Sequence, residues 1–80
     1  MTDSEIFAAI VEAVREETEQ PDLDLRPEMT ASDVEGWDSL AHVRIILNIE
    51  VRTGAAIEIS DTYRAATVGD LIAIVKKSRP

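Results

Sequence analysis

The run Gly36-Trp37-Asp38-Ser39-Leu40 contains the residues of this chain best placed to do chemistry. A glycine closes a polar loop, an aspartate and a serine follow where a helix can begin, and a long apolar helical run starts directly after them. The Ser39 hydroxyl is thereby set at a helix N-terminus, where unpaired backbone N–H groups and the positive end of the macrodipole favour an anion. A phosphate esterified to Ser39 would be well placed. On residue types alone the pair also reads as an ordinary cap, because Asp and Ser are favoured at that position whatever else they do.

His42 follows Ser39 on the same helical face, a spacing that suits a nucleophile and its base. A hydrolase also needs an oxyanion hole and a cleft that excludes water, and 80 residues leave little to build them once a core is closed. His42 is therefore expected to be a partly buried packing residue. One histidine and scattered carboxylates do not make a closed ligand set, so no metal site is expected. The chain has no cysteine, which removes disulfides and thiolate sites.

Sixteen Asp and Glu against eight Lys and Arg give a formal charge of −8, which disfavours nucleic acid and anionic membranes as partners. Residues 1 to 40 hold twelve of the acids and only Arg15 and Arg26, a net of −10, whereas residues 41 to 80 carry a net of +2. A partner approaching Ser39 from the loop side should present positive charge. The start, Met1-Thr2-Asp3-Ser4-Glu5, is acidic and no long apolar run follows it. Neither a signal peptide nor membrane insertion is expected, and the cytoplasm is the expected location. Residues 1–80 are expected to form one domain.

The elements that must position Ser39 can be read in order. Thr2 with Glu5 has capping-box spacing, and Ile6, Phe7, Ile10, Val11 and Val14 recur at helical intervals, predicting a first helix over about 3–18. Glu12, Arg15, Glu16 and Glu19 lie on its solvated face. From Glu19 to Trp37 the pattern breaks at Pro21 and Pro27, and a connection this long in a small domain usually has a function. Leu23, Leu25, Met29, Val34 and Trp37 are positioned to pin it, with Asp22, Asp24, Glu28, Asp33 and Glu35 facing water and a short helical turn within Thr30–Val34. A second helix runs from Ser39 to Thr53 and ends at Gly54. Ile57-Glu58-Ile59 forms an extended connection, and Ser60 caps a short third helix over Asp61–Ala65. Thr67 with Asp70 opens a fourth helix, whose core face is Val68, Leu71, Ile72 and Val75. Lys76, Lys77 and Arg79 complement its negative end, and Pro80 stops it.

The second helix carries two apolar stripes. At about 100° per residue, His42, Ile45, Ile46, Ile49 and Thr53 fall on one side and Leu40, Val43, Leu47 and Val51 on nearly the opposite one. So small a chain cannot bury both. One stripe belongs to the core and the other is left for a partner.

At Asp38-Ser39-Leu40 the chain resembles the acyl carrier proteins, whose signature is Asp-Ser-Leu at the start of the second helix of a small bundle. The resemblance runs from about Leu23 to Val75. It takes in the acidic loop, Glu50 late in the helix, Gly54 after it, Ile57-Glu58-Ile59 and Thr67-Val68-Gly69-Asp70-Leu71. It implies an all-α fold, a small four-helix bundle of three longer helices and one short, with a long loop between helices 1 and 2. It also implies a single carrier domain that is not an enzyme and has no catalytic residue. The implied cofactor is 4'-phosphopantetheine on Ser39, flanked by Asp38 and Leu40, with its thiol carrying acyl intermediates as thioesters. Positions like Ile45 and Ile49 then point inward. Leu40, Val43, Leu47 and Val51 form a docking stripe bordered by Arg44 and Glu50, with Glu35 and Trp37 at its loop end.

The partners so implied are a Mg-dependent phosphopantetheinyl transferase and the enzymes that load and process the acyl group, met transiently by a monomer. Carriers of ordinary fatty acid synthesis have acids after the motif leucine and down the second helix. Here those places hold Ala41, Arg44, Val51 and Arg52, so a dedicated pathway is expected. Peptidyl carriers more often show Gly or His before the serine, and Asp38 favours acyl over aminoacyl or peptidyl cargo. The contrasting reading is a degenerate interaction module that kept the bundle and lost the arm. Trp37 has two readings, an anchor for the loop or a contact for the arm or a modifying enzyme.

Overall fold

Thr2 opens the first helix, α1 (Asp3–Glu17), with a reciprocal cap: its hydroxyl accepts the Glu5 N–H at 3.2 Å and its own N–H donates to the Glu5 carboxylate at 2.8 Å. The computed structural model describes residues 1–78, so the expectations for Arg79 and Pro80 lie outside the described residues. Ile6, Ile10, Ala13 and Val14 are buried on one face of α1, and Phe7 and Val11 flank them half-buried. That face packs mainly against α2 (Ser39–Thr53) and then against α4 (Val68–Ser78).

The long connection is tied down by both packing and hydrogen bonds. Leu25 and Val34 enter the core, and Leu23, Met29 and Trp37 pack at its margin, as their spacing predicts. The carbonyls of Met29 and Pro27 accept the N–H groups of Val68 and Gly69 at 2.9 and 2.8 Å, so the loop satisfies amides at the start of α4. Arg15, expected on the solvated face of α1, is half-buried instead. Its Nε–H donates to the Leu23 carbonyl at 2.9 Å, because a long stem can lie along the helix while its head serves the backbone beside it. The turn expected in Thr30–Val34 is a 3₁₀ turn over Ala31–Asp33, with the Thr30 N–H donating to the Asp33 carboxylate at 2.9 Å.

α2 begins and ends where the sequence places it. Gly54 terminates it with φ +74°, a left-handed conformation in which a residue with a side chain is strained. The third helix departs from expectation. α3 spans Ile59–Thr62 with Glu58 before it, so it begins two residues earlier than the expected Asp61, ends before Ala65, and holds Ser60 inside rather than as its cap. Tertiary packing overrides the local capping signal: Ile59 packs against the core and Thr62 is buried, with its hydroxyl donating to the Ile59 carbonyl at 2.6 Å. α3 rests on α4. At the start of α4, Thr67 and Asp70 exchange hydrogen bonds of 3.2 Å each, and Val68, Leu71 and Val75 are buried with Ile72 beside them. The result is an all-α bundle of three longer helices and one short. No helix among the described residues is long and apolar enough to cross a membrane.

Candidate functional site

Gly36 turns the loop toward α2 at φ +87°, against the Thr18 side chain, and Asp38 then stands as the N-cap of the helix. Its carboxylate accepts the Ala41 N–H at 2.8 Å and its carbonyl accepts the His42 N–H, also at 2.8 Å. Asp38 is thus the cap and Ser39 the first helical residue. The N–H groups of Ser39 and Leu40, with no preceding turn to bond, face outward as donors. The Ser39 side chain is exposed, and no described residue bonds its hydroxyl. A phosphodiester at Ser39 Oγ fits this end: it meets open solvent, two spare backbone donors and the positive pole of a helix of 15 residues.

Burial separates the two stripes of α2. Ile45, Ile46, Ile49 and Thr53 are buried together with Ala41, and His42 is half-buried. Leu40, Val43, Leu47 and Val51 are 73, 38, 55 and 86% exposed. The exposed stripe starts at the residue after Ser39 and runs the length of the helix. Such a row of large apolar side chains left in water is a contiguous apolar patch on the surface of α2.

The border of the stripe is less open than its residue types suggest. Glu50 is half-buried, and its carboxylate accepts the Ile57 N–H at 2.9 Å, which makes it a clasp on the α2–α3 connection. Arg44 pairs with Glu17 at 3.5 Å, and Arg52 with Glu16 at 3.2 Å. Asn48 donates to both glutamates at 2.9 Å. Between them Leu47 and Val51 line an open groove of about 600 Å³ across α1 and α2. Sequence reasoning missed Glu16, Glu17 and Asn48 here. The only signal was the charge alternation between one helix and the other, which has no meaning until the two helices are laid side by side.

At the loop end, Glu35 is exposed and its carbonyl accepts from the Gln20 side chain at 2.7 Å. Trp37 is half-buried and anchors the loop, with its indole N–H donating to His42 Nδ1 at 3.1 Å. The other imidazole nitrogen meets the Thr62 hydroxyl at 2.7 Å, and Tyr63 lies over the ring with centroids 4.7 Å apart. Half-burial pushes the His42 pKa below its ordinary value. His42 points away from a role as base for Ser39, since both nitrogens are engaged elsewhere. Neither the Trp37 bond nor the Thr62 bond was legible in the sequence, where Thr62 is one polar residue in a short helix.

Comparison with known proteins bears on this site. The family described as phosphopantetheine attachment site matches residues 8–75. An acyl carrier protein of Exiguobacterium sp. is 30% identical over 76 residues, covering 95% of this chain and 96% of the relative. The meromycolate extension acyl carrier proteins of Mycobacterium tuberculosis and Mycobacterium bovis are 34% identical over 77 residues, covering 96% of this chain and 67% of theirs. Among solved structures, the holo acyl carrier protein of Geobacter metallireducens superposes with a TM-score of 0.77 at 28% identity, over 90% of this chain and 83% of that one.

Proposed function

This chain belongs to the acyl carrier protein family, with 4'-phosphopantetheine as its prosthetic group, and from that premise we propose that Ser39 is the attachment residue and that the outward stripe of α2 docks its partner enzymes. The observation that carries the reading is the exposed, unbonded Ser39 hydroxyl in the first turn of α2, with spare amides beside it and the apolar stripe beginning at Leu40.

Ser39 Oγ acts as the nucleophile toward the pyrophosphate of coenzyme A on a separate transferase. A phosphorus–oxygen bond forms at Ser39 Oγ, the bridging P–O bond of the pyrophosphate breaks, the nucleotide leaves with the other phosphate, and the hydroxyl proton passes to the transferase. Once attached, the group supplies a thiol that holds acyl units as thioesters. The chain's own contribution is a nucleophile in open solvent, a cap on Asp38 that fixes the first turn, and donors that face the phosphate. The chain itself performs no catalytic step in this reading and works as a monomer in the cytoplasm.

Family membership implies a phosphopantetheinyl transferase and acyl-processing enzymes as partners. Leu40, Val43, Leu47 and Val51 supply the apolar contact for them. Arg44 and Arg52, tied to Glu17 and Glu16, leave that part of the surface balanced in charge, whereas Glu35 and Asp38 keep the loop end acidic. A partner fitted to this face presents positive charge to the loop and a neutral apolar surface to the far end of α2. That pattern supports service in a dedicated pathway, as does the likeness to carriers named for meromycolate extension. Equal turnover of the loaded protein by general fatty-acid enzymes and by their own carrier would remove the pathway claim.

The test of the attachment site is the intact mass after incubation with coenzyme A, Mg²⁺ and a promiscuous transferase. The protein should gain one phosphopantetheinyl group and Ser39→Ala should gain none. Modification of the alanine variant, or a bare wild type, would refute the assignment.

A further inference from the structure

We propose that His42 is a positioning residue for the Ser39 site: its imidazole latches the loop that leads into Ser39 to helix α3. Trp37 lies just before Ser39 and His42 less than a turn after it, so the latch brackets the serine. An indole N–H only donates, so the 3.1 Å bond requires a lone pair on His42 Nδ1. The proton of the neutral ring is then on Nε2, which donates to Thr62 Oγ1 at 2.7 Å, and the Thr62 hydroxyl donates onward to the Ile59 carbonyl at 2.6 Å. Every hydrogen points the same way, from the indole to a backbone carbonyl. The rings add contact: Trp37 and His42 stack at 27° with centroids 6.1 Å apart, and Tyr63 lies against the imidazole, tilted by 33° at 4.7 Å.

This arrangement holds only for the neutral ring. Imidazolium carries hydrogen on both nitrogens, so Nδ1–H would confront the indole N–H and Trp37 would lose its acceptor. Among the described residues no carboxylate pairs with the ring to favour the cation, and the two aromatic neighbours offer only a cation–π contact in place of the lost hydrogen bond. From the loop the ring meets Trp37, and from α3 and its C-terminal cap it meets Thr62 and Tyr63. The narrow cleft of about 40 Å³ beside it is lined by Ala31 from the 3₁₀ turn and by Val68 and Leu71 from α4. Tyr63 is the titratable group among these, and the Asp38 carboxylate one turn back is committed to the Ala41 N–H. The sign follows: the folded chain binds the His42 proton less readily than the unfolded chain, so the latch is fully made above the ordinary histidine pKa of about 6.5 and is lost as pH falls through the lower folded value.

The proposal takes Ser39 as the attachment residue, yet its first test needs no attachment. The chain has one Trp and one His, so indole emission of the unmodified protein reports directly on the latch. Lowering pH from about 7.5 to about 5 should shift Trp37 emission with a midpoint below about 6.5. His42→Phe, which keeps the ring stack and removes the proton, should abolish that transition. Imidazole ¹⁵N shifts of the wild type need no variant and should show Nδ1 bare and Nε2 protonated at neutral pH. The opposite tautomer, a flat emission profile or an unchanged profile in His42→Phe would overturn the latch.

The positioning role is read from transferase kinetics. The KM for the carrier in the wild type, divided by that of His42→Phe at each pH to cancel the transferase's own titration, should rise about fivefold across the transition, as loss of one neutral hydrogen bond allows. The kcat ratio should stay level. A flat KM ratio overturns the positioning role. Failure of Ser39 to be modified at any pH instead refutes the attachment reading, and the emission and tautomer results still decide the latch.

Discussion

Glu50 lies half-buried in the last turn of α2. Its position late in α2 puts it beside the apolar stripe, where a carboxylate suggests partner recognition. The structure gives that carboxylate an intramolecular task, accepting the Ile57 N–H at 2.9 Å and so holding the connection that follows Gly54. The signal was absent from the sequence because Ile57 is no neighbour of Glu50 along the helix. It becomes one only when Gly54 reverses the chain. Glu50→Ala should therefore destabilise the fold by about 1–3 kcal/mol, since a part-buried amide loses a charged acceptor. Urea unfolding measures it. A change under about 0.5 kcal/mol would return Glu50 to the docking surface, where surface substitutions have effects of that size.

At the scale of the element, α2 has two apolar faces that periodicity alone does not rank, and the family resemblance turns Ile45 and Ile49 inward. His42 to Thr53 on one side and Leu40 to Val51 on the other are both apolar enough for a core. Burial assigns Ile45, Ile46 and Ile49 to the interior and leaves Leu47 and Val51 in solvent. A pair of substitutions tests the division. Ile49→Ala should cost about 2–5 kcal/mol in unfolding free energy, as large-to-small changes at filled core sites do. Leu47→Glu should leave stability within about 0.5 kcal/mol and abolish productive turnover by acyl-loading enzymes. Stable Ile49→Ala protein, or a Leu47→Glu variant loaded at the normal rate, would contradict the assignment of faces.

Over the whole molecule the charge layout decides both stability and approach. The acidic first half and the basic second half meet across the bundle: Asp3 with Lys76 at 3.0 Å, Glu16 with Arg52 at 3.2 Å, and Glu17 with Arg44 at 3.5 Å. These pairs lie at the surface, with Glu17 alone half-buried, and each contributes little. Asp22, Glu28, Asp33 and Glu35, exposed along the loop, have no such partners across the bundle among the described residues. With a net charge of −8, self-repulsion outweighs the pairs, so added salt or a divalent cation should raise Tm, most steeply at low ionic strength. Thermal melts at about 10 and about 150 mM salt check it, where the Debye length falls from about 30 to about 8 Å. A fall in Tm would mean that the cross-bundle pairs matter more than the surplus.

What the sequence determined by itself was whatever depends on residues within a turn or two of one another. Thr2 with Glu5, Asp38 before Ser39, Gly54 at the helix end and Thr67 with Asp70 all appear where local chemistry sets them. The periodicity of α1, α2 and α4 follows for the same reason. Tertiary structure decided which polar groups meet across elements, and its burial of Ile45, Ile46 and Ile49 gives the division of α2 a basis that helical periodicity lacks. Trp37, His42 and Thr62 form one chain of bonds, Met29 and Pro27 lend carbonyls to α4, and Ile59 draws α3 forward past its expected cap. Such partnerships depend on how three helices and a loop settle around a shared core, and no spacing along the chain encodes the distance between side chains so far apart in order.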